Sequence, residues 1–100
     1  MKEYEIILFS EAENDLNTIV EYLATLSEQT ALKYFDLIVE TIGTLRSMPE
    51  RRALLTDPRL RLRGYSMIRV NDYVVFFLIN DDKVEIHRIL HAKRSYIALL

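Results

Sequence analysis

Seven consecutive residues, Tyr73 to Ile79, carry no charge and no side-chain amide, and they restrict the folds open to this chain more than any other feature. The run is rich in β-branched and aromatic types, which suit a strand. It is too short to span a membrane, and turn residues flank it, Asn71-Asp72 before and Asn80-Asp81-Asp82 after. A strand without polar alternation is apolar on both faces, so it belongs in the middle of a sheet covered on both sides. The rest of the chain reads as its neighbours and its cover.

One hundred residues are expected to form one domain, residues 1–100, with enough buried surface for a single core. Without cysteine there is neither a disulfide nor a thiolate metal site, which fits a reducing cytoplasm, the expected location. The first residues lack the apolar run of a secretory signal, and no segment reaches ~18 apolar residues, so no membrane contact is expected. The net charge of −2 hides an asymmetry: residues 1–50 hold ten acids and three bases, residues 51–100 ten bases and five acids. That split predicts two differently charged surfaces.

Tyr4 to Phe9 reads as a first strand beside the central one. Ser10 with Glu13 three residues on has the form of a capping box. Ala12, Leu16, Ile19, Val20, Leu23 and Leu26 then recur at helical steps. Ser27 to Thr30 breaks that pattern and offers new caps. A second helix is expected from Ala31 to Arg46, with Ala31, Phe35, Ile38, Ile42 and Leu45 on one face, ended by Pro49. Gly43 within it points to a close contact with the first helix. Two helices joined this tightly lie antiparallel. Arg59-Leu60-Arg61-Leu62-Arg63 alternates strictly, which in extended chain places three guanidinium groups on one side. Tyr65–Val70, the central run and Lys83–Leu90 complete a meander, with Val84, Ile86, Arg88 and Leu90 on one face of the last strand and Glu85, His87, Ile89 and His91 on the other. The predicted class is α+β, ordered β-α-α-β-β-β, with a helical hairpin packed on one face of a small, mostly antiparallel sheet.

The chemistry on offer is basic. Nine arginines stand against four lysines, and eight of the nine follow residue 50. Guanidinium groups fork onto phosphates and carboxylates and stack on bases. Arg59, Arg61, Arg63, Arg69, Arg88 and Arg94, with His87, His91 and Tyr96, can gather on the exposed side of the sheet. Such a set can stabilise a phosphorane-like transition state while a His or Tyr moves a proton, or it can simply bind an acidic partner. The residues alone favour binding. His87 and His91 lie ~13 Å apart along a strand, too far to share an ion, and two glycines make no phosphate loop; no metal and no cofactor is expected.

Several segments together carry a resemblance: Phe9-Ser10 with Ala12, Asp15-Leu16, Ile19 and Tyr22; Ala31; Leu45 and Pro49; Gly64-Tyr65 followed by Ile68 to Phe77; and Val84 to His91 with Lys93-Arg94 and Leu99-Leu100. In this order they resemble the RelE/ParE superfamily of toxins from type II toxin–antitoxin modules, also called plasmid-stabilisation proteins. The resemblance implies a growth-arresting toxin neutralised by a co-encoded antitoxin, and a complex able to bind operator DNA through that antitoxin. ParE-like members inhibit DNA gyrase without catalysis; there Arg59, Arg61, Arg63, His91, Lys93 and Arg94 would contact the target. RelE-like members cleave mRNA on the translating ribosome without metal; there Arg61, Arg69, Arg88, Arg94, His87 and Tyr96 would be the catalytic pool. RelE-like nucleases usually place an arginine just after the tyrosine that opens the central strand, where this chain has Val74. That leans the resemblance toward the ParE branch. A copy that has lost toxicity and only binds antitoxin is the third expectation.

Overall fold

In the computed structural model, which describes residues 3–47, 49, 58–93 and 100, the chain runs β1 (Glu5–Leu8), α1 (Ser10–Leu26), α2 (Glu28–Thr44), α3 (Pro58–Leu62), β2 (Ser66–Val70), β3 (Tyr73–Asn80) and β4 (Lys83–His91). The four strands form one sheet in the order β1-β4-β3-β2. β3 is interior, as its composition demands, and each of Tyr73 to Phe77 is buried. Tyr73, Val75 and Phe77 enter the larger core, with Ala12 and Leu16 of α1 and Ile38 and Ile42 of α2. Val74 and Phe76 point the other way, into a second cluster with Leu60 of α3 and Leu90 of β4. The mixed α+β class and the helical hairpin therefore follow from two periodicities, 2.0 along β3 and about 3.6 along the helices.

Several expectations need correction. β1 does not lie beside the central strand; it pairs parallel with β4, Glu5 opposite Lys83 and Leu8 opposite Ile86. The reason is occupancy: two-residue turns, opened by Asn71 at φ 53° and Asp81 at φ 57°, place β2 and β4 on either side of β3. That leaves the outer edges of β2 and β4, and β1 takes the one on β4, in parallel.

Ser10 is a helical residue rather than the cap. Phe9 occupies that position with no side-chain cap, because its N–H donates to the carbonyl of Ile86 and its backbone is still extended. By contrast, Ser27 does cap α2, its Oγ accepting from the Thr30 N–H at 3.3 Å, so α2 begins at Glu28.

The Arg59–Arg63 alternation is not a strand. Pro58 fits the first position of α3 and Gly64, at φ 87°, follows its end. The Tyr65 N–H donates to the Leu60 carbonyl and the Gly64 N–H to that of Arg61, the paired bonds of a Schellman ending. Leu60 is buried, whereas Leu62, expected on the same side, is 88% exposed.

The faces of β4 are not in strict alternation either. Phe76 is opposite Arg88 and Phe77 is opposite Ile86, so His87 is an extra residue at a bulge. Beyond it the sidedness changes: Ile89 joins Val84 and Ile86 in the larger core, and Leu90 joins the second cluster.

Gly43 also differs from expectation, for a Cβ built there meets nothing within 4 Å. It costs backbone entropy without permitting any close approach. Gly43→Ala should therefore raise stability by about 0.5–1 kcal/mol, with the denaturant midpoint moving up and the m-value unchanged. A lower midpoint would reveal a contact that the fold does not show.

Candidate functional site

The basic residues are distributed by the elements that carry them. On α3 and just after it, Arg59, Arg61 and Arg63 are exposed around the buried Leu60. In a helix, residues two apart project roughly 200° from one another, so Arg61 is turned away from Arg59 and the three guanidinium groups do not share one side. Arg69 is exposed on β2 and its Nε donates to the carbonyl of Asn71 at 2.7 Å. His91 ends β4, edge-on to Tyr73 with centroids 5.4 Å apart, and its Nδ1 accepts from the Lys93 N–H at 3.2 Å. Lys93 is exposed. Arg94 and Tyr96 lie outside the described residues. The sheet face opposite the hairpin does not gather these groups, because Leu60, Tyr65, Met67 and Leu100 pack over Val74 and Phe76 there.

Arg88 departs furthest from the expected surface cluster. Its Nε donates to Oδ2 of Asp15 at 2.7 Å and its Nη2 to Oδ1 at 2.9 Å, a bidentate fork between β4 and α1. The same Oδ2 accepts the backbone N–H of Ile89 at 2.9 Å. β1 pairs with β4 only as far as Ile86, so the outer edge of β4 beyond the bulge lacks a strand partner. Asp15 stands in for one. Both side chains are largely buried, at 17% and 14% exposure, and the hydrogen bond to Asp15 is the main cause holding the Arg88 guanidinium above its ordinary range. Among the candidates, this guanidinium is structural in its contacts.

The bulge instead presents His87. Tyr65 Oη lies 3.2 Å from His87 Nδ1, and His87 Nε2 lies 3.3 Å from Glu85 Oε1. A neutral imidazole satisfies both contacts by accepting the phenol proton at Nδ1 and donating from Nε2. The Phe9 ring stacks on the imidazole at 4.2 Å, so the end of β1 fixes its plane. Burial, the largest cause, pushes the Tyr65 phenol upward, with Arg63 opposing and Glu11 assisting. Carboxylate, imidazole and phenol joined in this way are the parts of a proton relay. The cavity beside it, lined by Phe9, Glu11, Tyr65, His87, Arg88 and Leu100, measures only about 50 Å³, room for water and not for a nucleotide.

Asp15, Tyr65 and Glu85 fall in segments that carry the resemblance but were not among the site residues expected from the sequence. Asp15 reads there as one acid among several near a helix start, and its partners lie 73 and 74 residues away. Among the described residues no three His, Asp or Glu side chains group as a metal ion would need, and no helix is long and apolar enough to cross a membrane.

Two apolar features complete the surface. Leu32, Phe35 and Val39 form an exposed stripe on α2, although Phe35 was expected to face inward. Val39 leads into a groove of about 270 Å³ with Ile6, Leu8, Ile42 and Gly43, along the free edge of β1. A larger cavity, about 530 Å³, opens between α1 and the Tyr73–His91 end of the sheet.

Residues 6–96 match the family described as ParE toxin of type II toxin-antitoxin system, parDE. No curated protein matches the chain. Among solved structures, the chromosomal ParDE TA system from P. aeruginosa aligns with a TM-score of 0.76 at 20% identity, over 91% of this chain and 98% of that one. The toxin-antitoxin complex RelBE2 from Mycobacterium tuberculosis aligns with a TM-score of 0.64 at 22% identity, over 89% and 98%. At these identities the two structures show a shared fold.

Asp15→Ala leaves a half-buried guanidinium and an edge N–H without an acceptor, and should cost about 2–3 kcal/mol in urea unfolding. Asp15→Asn keeps one acceptor and should fall between. The Asp15→Ala/Arg88→Ala pair should lose clearly less than the sum of the singles; additivity would mean that the fork contributes nothing. A second expectation concerns alkali. Tyr73 is pushed up mainly by burial, and also by Tyr34, Asp72 and Tyr22. A tyrosine whose folded value is raised adds stability that is intact below the unfolded value of 10.0 and is lost as pH climbs through the folded value. Phenolate absorbance should therefore show a late fraction, unfolding should follow it, and Tyr73→Phe should remove part of that fraction.

Proposed function

The chain belongs to the ParE toxin family of type II toxin–antitoxin systems, and from that premise we propose that it arrests growth by binding DNA gyrase without catalysis, held in check by a co-encoded antitoxin. The observation that carries this reading is the covered sheet face. Val74, at the position where RelE-like nucleases usually carry an arginine, is 1% exposed beneath Leu60 and beside Phe76 and Leu90. The Arg88 guanidinium is engaged by Asp15, and Arg69 donates to its own turn. Arg59, Arg61 and Arg63 are exposed on a short helix and its end, which suits contact with an acidic protein surface better than a converging catalytic centre. With His91, Lys93 and Arg94 they form the target-binding set. The antitoxin's docking segment folds onto the apolar stripe of α2 and the groove beside β1 as a helix, and an acidic stretch of it meets the arginines.

One observation favours a second reading, cleavage of mRNA on the ribosome: the line Tyr65–His87–Glu85 is a ready path for a proton. In that case Arg61, Arg69, Arg88, Arg94, His87 and Tyr96 remain the pool of catalytic groups, with Tyr65 and Glu85 added to it.

Inducible expression separates the two. Plasmid supercoiling and mRNA ends are compared before growth stops, for the natural chain, for Arg59→Glu/Arg61→Glu/Arg63→Glu and for His87→Gln. Loss of supercoiling with intact messages, abolished by the triple charge reversal and untouched by His87→Gln, is the expected result. Site-specific cuts in translated messages that vanish in His87→Gln would replace the gyrase reading with the nuclease. Full viability with neither effect would reduce the chain to an antitoxin-binding partner.

A further inference from the structure

The geometry points to the cavity between α1 and the end of β3–β4 as a receptor for one arginine side chain presented by a partner polypeptide. Its walls are aromatic and its charge is negative. Tyr22 of α1, 60% exposed, and Tyr73 of β3 line it with His91, above a floor of Ile19 and Leu23. Tyr73 is held edge-on by Tyr34 at 5.7 Å and by His91 at 5.4 Å, so the aromatic wall is fixed before any ligand arrives. His91 Nδ1 is taken up by the Lys93 N–H. Asp15 also borders the space, but its carboxylate is committed to Arg88, and that pair is close to neutral. The charge left at the rim is Asp72, exposed in the β2–β3 turn and bonded to no described cation. Aromatic faces with one carboxylate at the mouth suit a flat cation, and guanidinium both stacks on tyrosine and forks onto a carboxylate. About 530 Å³ is more than one such side chain needs, which leaves room for the peptide that carries it. This cavity lies apart from the groove beside β1, with which it shares no lining residue.

That a polypeptide delivers the arginine rests on the toxin–antitoxin reading; the site itself does not, so the probe is a single residue. N-acetyl-L-arginine amide is titrated into the isolated chain and followed by NMR, with the neutral citrulline amide as its isostere. Saturable shifts at Tyr22, Tyr73, His91 and Asp72, with a dissociation constant on the order of millimolar, are expected. The citrulline amide should bind at least about tenfold more weakly. Asp72→Asn and Tyr22→Leu, both at exposed positions and expected to keep dispersed spectra, should each weaken arginine roughly threefold or more. No saturable shift up to about fifty times the millimolar constant, equal binding of citrulline, or shifts confined to the α2–β1 groove would overturn the assignment. None of those outcomes touches the gyrase or mRNA readings, which are decided by supercoiling and message ends.

Discussion

The Asp15 carboxylate does three jobs with two oxygen atoms, and the fold leans on all of them. It neutralises Arg88, orients that guanidinium as a fork, and supplies the acceptor that the outer edge of β4 lacks after its bulge. A buried strand edge with an unsatisfied N–H is costly, and so is a half-buried guanidinium without a counter-charge. One aspartate on α1 removes both penalties and pins the helical hairpin to the last strand. The helix is placed by apolar packing of Ala12 and Leu16, but packing alone tolerates sliding. A bidentate pair does not, so the fork sets the register of α1 against the sheet.

That arrangement changes what the arginine count means. Nine arginines in one hundred residues look like a single cationic surface, yet among the described ones the structure uses Arg88 as a tie, draws Arg69 to its own turn and leaves the α3 group outward. The sheet face that would be an open platform for nucleic acid is instead sealed by Leu60 and its neighbours. Many guanidinium groups in one chain thus need not share one surface. Against that stands the relay at the bulge, where Phe9, Tyr65 and Glu85 fix one imidazole in place.

Much of the architecture was legible because two signals are strong. An uncharged run bounded by turn residues located β3, and three- and four-residue steps located α1 and α2. The failures have common physical causes. Period-2 alternation in Arg59–Arg63 outweighed Pro58 and Gly64, although a proline at the start and a glycine past the end are the bracket of a short helix. The bulge at His87 has no glycine to announce it, so the faces of β4 could not be assigned past that residue. The place of β1 depends on β2 and β4 having taken both sides of β3, a property of the assembled fold rather than of the strand. The candidate site was less legible still: arginine content marked the residue type, but Asp15, Tyr65 and Glu85 acquire roles only through contacts with residues far along the chain.

The parallel pairing of β1 with β4 has a bearing on how the molecule comes into being. Glu5 meets Lys83, so the first strand to leave the ribosome waits for nearly the last before its hydrogen bonds can form. Pairings of such long sequence separation are slow to close, because loop entropy is lost before the contact compensates. During synthesis the nascent hairpin of α1 and α2 therefore carries an apolar face with no sheet to cover it, and the Asp15 carboxylate has no guanidinium to hold. A toxin of this family built this way closes its sheet only once β4 has been made, which gives a binding partner already present an interval in which to meet it.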